Sequence, residues 1–383
     1  MSMTERNVFK MKTYLFITFT AILILSGCTP AEKEILDFDL KKYPGAAVIG
    51  NGGVRVMYSD DERITGTTRP VSGGILHYYF ENDTTSYIGG STVTYKDDTG
   101  MLASSQDTFG LEPFFSPFQK ISFENFKSRH RIFATGEGII VQQVTIQTES
   151  DLNTFVQWSL HTPVESGPLR MNATDIMEDG IYHRYNNNMI LAFAATGDHS
   201  QYNFDRTEGI TTITTPLRLK ANSDTTLTFF ITAGTSDTDV ITKMFAADRN
   251  DLFEEAKRHW NDWLATNDIP LFPHIRYEKS YKSNLYAVYA SGVNDDSPLP
   301  ETGQYNTQQI ESAPGTMIDN VQEYIQTGDR RRAEQLIREV TENTNSYGLI
   351  PETDTTLLSG PLSPVKCSDY LDALHAVFKD KEV

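Results

Sequence analysis

Leu227-Thr228-Phe229-Phe230-Ile231-Thr232-Ala233-Gly234-Thr235-Ser236-Asp237 ends one kind of sequence, and Leu252-Phe253-Glu254-Glu255-Ala256-Lys257-Arg258-His259-Trp260-Asn261-Asp262-Trp263-Leu264 belongs to another. The first is rich in β-branched and aromatic residues and suits a strand. In the second, Leu252, Phe253, Ala256, Trp260, Trp263 and Leu264 fall on one stripe of an amphipathic helix, capped by Asn250 or Asp251. The period changes from 2 to 3.6 near Ser236, and that change divides the chain. On such a helix both tryptophans read as core rather than as a platform for sugars.

Upstream, short runs separated by Gly, Asn and Asp predict strands at Val54 to Tyr58, Ile75 to Phe80, Ile121 to Phe126, Ile139 to Ile146 and Phe155 to Leu160. Ile210 to Leu219 and Leu227 to Thr232 read as a hairpin across Asn222-Ser223-Asp224. Punctuation of this kind predicts an antiparallel sandwich rather than a parallel α/β sheet. Downstream of Pro270 and Pro273, three helical patterns follow. They are Tyr277 to Tyr289, an αα-hairpin from Met317 to Val340 that turns at Gly328-Asp329, and Tyr370 to Phe378.

The N-terminus carries Arg6, Lys10 and Lys12 ahead of an apolar run, Tyr14 to Leu25, too short to span a bilayer. Leu25-Ser26-Gly27-Cys28 follows directly and resembles a bacterial or archaeal lipoprotein signal. The resemblance implies cleavage before Cys28, a lipid on its sulfur and an extracytoplasmic, membrane-anchored location; the other reading is an ordinary secretory signal with an incidental Cys28. The expected domains are a signal peptide at 1–27, a tether at 28–43, a β-sandwich at 44–235, a linker helix at 236–274 and helical hairpins at 275–383.

Among the 383 residues are 33 basic and 51 acidic side chains, a net charge of -18. Such a field repels phosphate backbones, no compensating basic stripe shows in the sequence, and no nucleic-acid partner is expected. The two cysteines and scattered histidines form no metal-ligand spacing, so no metal is expected. There is no Gly-x-Ser-x-Gly elbow, phosphate loop, dinucleotide fingerprint or His-Glu-x-x-His, and no cofactor is expected. His77 and His130 read as core or surface residues, and Cys367 as a small buried apolar group.

The order sandwich, linker helix, helical hairpins resembles the six-hairpin glycosidases. Gly50-Asn51-Gly52-Gly53, leading into the first strand, is similar to the opening of their large β-sandwich. His259-Trp260-Asn261-Asp262-Trp263-Leu264 is similar to the segment before their (α/α)6 barrel, and Gly328-Asp329 with Ala333 to their barrel hairpins. The nearest group is the glucoamylase-like hydrolases with an N-terminal sandwich, with the related glycoside phosphorylases close by. The implied fold is mainly β with α: an antiparallel β-(super)sandwich, a linker helix and an (α/α)6-type helical domain. Twelve barrel helices with connections need roughly 200 residues, whereas Ile275 to Val383 supplies 109, so the expected barrel is incomplete.

The implied activity is hydrolysis of α-linked oligosaccharides or polysaccharides. Inversion requires one carboxyl group to protonate the leaving oxygen and another to activate water. Pro351-Glu352 followed by Pro361-Leu362-Ser363 resembles the family's base loop and makes Glu352 the candidate base, although Thr353 and Pro364 replace the usual Gln and Trp. Glu301, in Pro300-Glu301-Thr302-Gly303, is the candidate sugar-binding residue. Asp319 reads as a helix cap, and no residue matches the family's acid. The alternative function is a non-catalytic, shortened member of the family, acting as a carbohydrate-binding or structural lipoprotein.

Overall fold

The computed structural model describes residues 46–59, 74–81, 85–103, 106–196, 199–247, 251–267, 269–291, 318, 320–321, 324–326, 329–342, 344, 349–350 and 364–378. Its described strands form three sheets, and every pairing is antiparallel. The smallest runs β1 (Ala46–Gly50), β2 (Val54–Ser59), β3 (Gly74–Phe80). A five-stranded sheet runs β15 (Gln201–Asp205), β16 (Ile210–Leu219), β10 (Leu152–His161), β4 (Ser91–Asp97), β5 (Gly100–Met101).

The nine-stranded sheet begins β11 (Glu165–Ser166), β12 (Leu169–Ile176), β13 (Ile181–Tyr185), β14 (Ile190–Ala195), β17 (Ser223–Gly234). It continues β9 (Ile140–Thr148), β8 (Phe126–Ala134), β7 (Pro117–Ser122), β6 (Gln106–Leu111). The larger sheets face each other. Trp158 of β10 lies 5.3 Å from the Phe229 ring of β17 and 6.5 Å from that of Phe193 on β14, ring to ring. Alternation along β10, buried at Leu152, Thr154, Val156, Trp158 and Leu160, is what a strand with one wet face requires.

Two strand expectations are corrected. Ile121 to Phe126 is not a strand: β7 ends at Ser122, the Phe123 N–H donates to the Phe126 carbonyl at 2.9 Å, and β8 starts at Phe126. The two phenylalanines that made the run look strand-like stack at 4.3 Å across that turn. Nor do β16 and β17 form a hairpin. They belong to different sheets, β16 paired with β10 and β15, β17 with β9 and β14. Asn222, at φ 57°, lies where the chain crosses between sheets, beside the equivalent crossing from β9 to β10. Asp151 of that second crossing accepts from Ala221 N–H at 2.9 Å and Lys220 Nζ at 3.3 Å. The same three turn residues thus make a sandwich corner, because β17 is buried from Leu227 to Gly234 and must be central.

Gly50-Asn51-Gly52-Gly53 is also corrected: it connects β1 to β2 rather than preceding the first strand. Asn51 Oδ1 accepts from the Gly53 and Val54 N–H groups at 3.1 and 2.9 Å, an Asx-type turn, with Gly52 at φ 83°. A Cβ on Gly50 would lie 2.0 Å from the Val54 carbonyl oxygen, so no larger residue fits there.

Helices follow the last strand, as the change in period requires. The expected single linker helix is two: α1 (Asp237–Ala247) and α2 (Leu252–Ala265). α1 packs on β14 and β17 through Val240, Met244 and Ala247, but exposes Ile241 and Phe245, and this outward apolar pair blurs its pattern. α2 buries Leu252, Ala256, Trp260 and Leu264 as its stripe predicts; Asp251 takes the cap position without a side-chain hydrogen bond. Then come α3 (Ile275–Ser291), helical residues between 318 and 326, α4 (Arg330–Glu342) and α5 (Pro364–Phe378). The αα-hairpin turn is visible at Asp329, whose N–H donates to the Tyr324 carbonyl at 2.9 Å and whose Oδ1 accepts from Arg332 N–H at 3.2 Å. Strands and helices share one hydrophobic core. Among the described residues no helix is long and apolar enough to cross a membrane.

Candidate functional site

Cys28, Glu301, Asp319 and Glu352 all lie outside the described residues. The chain immediately before Pro351-Glu352 is described and firmly held. Leu349 and Ile350 are buried, and the Ile350 N–H donates to Asn284 Oδ1 at 3.3 Å. Asn284, on α3, is 0% exposed, and its Nδ2 donates to the Ser280 carbonyl at 2.8 Å and to Ser280 Oγ at 3.3 Å. A buried amide facing a loop N–H fixes that loop, since leaving either partner unmade would cost its desolvation.

From the other side α5 encloses the same segment. Cys367 Sγ lies 4.0 Å from the Ile350 carbonyl oxygen, and burial pushes the thiol up to about 12, so Cys367 is a protonated, inert packing group, as its sequence context suggests. Tyr370 shares a 2.7 Å hydrogen bond with Thr341 of α4, and burial holds its phenol at about 12. The segment leading to Glu352 is thus gripped by α3 and α5. Sequence reasoning missed Asn284. Its signal was a pair of polar residues four apart, Ser280 and Asn284, beside the aromatic stripe of Tyr277, Tyr281 and Leu285.

A second assembly joins α2 and α3 to the β1–β2 turn. Trp260 is fully buried, and its Nε1–H donates to the Ala134 carbonyl at 2.7 Å. The Tyr286 hydroxyl donates to the Gly50 carbonyl at 3.1 Å and accepts from Gly50 N–H at 3.2 Å. Trp260 and Tyr286 meet edge to face at 4.9 Å, and Trp263 and Tyr289 are also 4.9 Å apart. Trp260 is core, as the helix pattern implies.

Beside this junction lies an open cleft of about 310 Å³ lined by Thr135, Gly136, Glu137, Glu255, Ala256 and His259, among others. A Cβ on Gly136 would come within 2.6 Å of the His259 ring, so only glycine lets the β8–β9 turn approach the imidazole. The Asn51 Nδ2–H donates to the Gly136 carbonyl at 3.1 Å, tying the β1–β2 turn to the same place.

Inside the sandwich two histidines bridge the sheets. His130 on β8 shares a 2.7 Å hydrogen bond through Nε2 with the Tyr95 hydroxyl of β4, which is also bonded to Ser128; His130 Nδ1 has no partner. His183 on β13 bonds Thr211 of β16 at 2.7 Å and Thr174 of β12 at 2.9 Å. Burial pushes both imidazoles down to about 3, so both are neutral. Each is a structural tie between sheets.

One electrostatic expectation is corrected. Lys127, Arg129 and Arg131 alternate along β8, and Lys120 sits opposite Arg129 on β7, so a basic stripe does exist on an otherwise acidic protein. Alternation hid it in the sequence, because the intervening Ser128 and His130 point to the core.

No family model matches this chain. No curated protein matches it either. Among solved structures it is similar to a protein described as a kojibiose phosphorylase from the human microbiome, at 10% identity and TM-score 0.48, over 64% of this chain and 39% of that one. It is also similar to a bacterial glucoamylase crystallised with acarbose, at 12% identity and TM-score 0.43, over 88% of this chain and 57% of that one. A family GH92 α-mannosidase from Bacteroides thetaiotaomicron matches at 10% identity and TM-score 0.37, over 64% of this chain and 39% of that one. The chain thus spans between two fifths and three fifths of the length of these structures.

Proposed function

We propose that the chain is a glucoamylase-like glycoside hydrolase, exported and anchored to a membrane through a lipid on Cys28, that cleaves α-linked oligosaccharides with Glu352 as general base. Glu301 contributes to sugar binding, and no cofactor takes part. The observation that carries this reading is the grip on Leu349-Ile350. A buried Asn284 spends its amide on the backbone two residues before the candidate base, which is the kind of support a precisely placed carboxylate needs. The acid-base chemistry follows from the resemblance: an ionised carboxylate takes a proton from water as the water attacks the anomeric carbon, and a second, protonated carboxyl group releases the leaving oxygen.

Incubating the full-length protein with maltotriose and following reducing-sugar release tests the activity, and glucose release is the expected result. Fractionation tests the anchor: Cys28→Ala should move from the membrane pellet to the soluble fraction, and a variant that stays in the pellet contradicts lipidation.

A second reading, a carbohydrate-binding lipoprotein without turnover, is favoured by the cleft at Gly136 and His259. That cleft is built from the β8–β9 turn, α1 and α2 and takes no residue from α3 to α5. Binding of maltotriose without hydrolysis, abolished by His259→Ala, would support it.

A further inference from the structure

We propose that the outer face of the nine-stranded sheet, at β7 and β8, is a binding surface for an acidic polysaccharide, a glycan chain bearing carboxylate or sulfate groups, held by Lys120, Lys127, Arg129 and Arg131. The register fixes which side chains share this face. His130, Ile132 and Ser128 point into the sandwich, so the alternate residues of β8 point away from it, and the Arg131 guanidinium indeed sits 3.9 Å over the ring of Phe253 on α2. Lys127 to Arg131 spans about 14 Å along one strand.

This arrangement works against the stability of the free protein. Lys120 and Arg129 are directly paired across β7 and β8, where like charges repel. Arg129 has Glu112 at 3.6 Å, but that carboxylate is largely exposed; Arg131, half-buried against α2, lies in the field of Glu112 and Glu254, whereas Lys120 and Lys127 have no carboxylate within ion-pair distance among the described residues. In a chain with 51 acidic side chains, Lys120 and Lys127, with no acidic partner among the described residues, are placed for a ligand. The Phe118 ring backs two of the four basic groups, with Lys120 Nζ at 5.4 Å and Arg129 Cζ at 5.0 Å, and keeps both heads on the surface.

The neighbours on the face select the class of polyanion. Cross-strand partners continue the row of Arg129 through Thr145 to Thr226 and that of Lys127 through Gln147 to Asp224, and Gln143 lies beside Arg131, so hydroxyls and amides suited to sugar hydroxyls adjoin the cations and Asp224 bounds the field on β17. No aromatic ring lies open for a base to stack on, since Phe118 is buried beneath its cations. No exposed apolar side chain in these rows could insert into a bilayer. The surface is independent of Glu352 and of any turnover.

The test is binding of the full-length chain to polygalacturonate and to chondroitin sulfate, with amylose as neutral control and a single-stranded oligonucleotide and phosphatidylglycerol vesicles as competing polyanions. Wild type should bind the acidic glycans and not amylose, more weakly as NaCl rises from about 50 to about 300 mM. Lys120→Gln combined with Arg129→Gln should weaken binding about tenfold or more. Lys127→Gln, on the same face and one step along β8, should weaken it about threefold. The control pair Lys220→Gln and Lys96→Gln, the first at the β9–β10 and β16–β17 corner and the second on the five-stranded sheet, should bind as wild type. Because a repulsion is relieved, Lys120→Gln should melt no lower than wild type. Failure of wild type to bind either glycan, wild-type affinity in the Lys120→Gln, Arg129→Gln protein, or tighter binding to the oligonucleotide or the vesicles would overturn the proposal.

Discussion

The sandwich and the helices after Ile275 both bury polar side chains, but they use them differently. In the sandwich, His130, Tyr95, His183 and Thr211 bond side chain to side chain and tie one sheet to the other. In the helical part Thr341 and Tyr370 tie α4 to α5 in the same way, but Asn284 bonds side chain to backbone and holds a short segment still. The first arrangement fixes how two layers stack; the second fixes where a short stretch of chain sits. Polar groups buried for stacking make the fold sensitive to conditions, whereas one buried against backbone resists displacement of that backbone. The junction of Trp260, Tyr286 and Gly50 couples the two regions.

Breaking the coupling should have the largest effect. Trp260→Ala removes a fully buried indole and its hydrogen bond to Ala134, and should cost about 3–5 kcal/mol in urea unfolding. If the two regions are coupled, both should lose stability together. Separate transitions, with the sandwich unchanged, would break the comparison.

The pH dependence sharpens it. His130 and His183 titrate near 3 in the folded protein and near 6.5 when unfolded. The unfolded chain therefore binds more protons below about 6.5, and the stability these groups confer is full above that pH and is lost as pH falls towards 3. Each should cost about 2 kcal/mol between pH 7 and pH 5. Urea unfolding at the two values checks this, and His183→Asn should reduce the pH-dependent loss by about half. An equal loss in wild type and variant would remove His183 from the account.

A smaller effect is expected at Asn284. Asn284→Ala leaves the Ile350 N–H without its partner and should cost about 1–3 kcal/mol. Hydrogen exchange at that amide should accelerate by more than the global destabilisation explains, and no excess over the global change would mean that Asn284 fills space without positioning the loop.

The sequence shows the boundary between these regions more clearly than their interiors. The change of period near Ser236 and the α2 stripe are local, and the structure keeps both. The β16–β17 corner is not local: Asn222-Ser223-Asp224 suits a hairpin or a corner equally, and only the burial of β17 on both faces decides. Phe123 and Phe126 look like strand residues because stacking across a tight turn favours the same side chains as a strand does. α1 was hidden by exposed Ile241 and Phe245, which break the amphipathic pattern. Glu352 was legible only through a resemblance, whereas its supporting Asn284 could have been noticed as an amide beside an aromatic stripe but not assigned a partner 66 residues away.

Glu352→Gln, which keeps the side chain's size and removes its charge, tests the proposed role of Glu352 as general base. Maltotriose turnover by this variant should fall about 10²- to 10⁴-fold, with urea unfolding unchanged. A Glu352→Gln protein that hydrolyses maltotriose at the wild-type rate, or a wild type that binds maltotriose without hydrolysing it, would contradict that role.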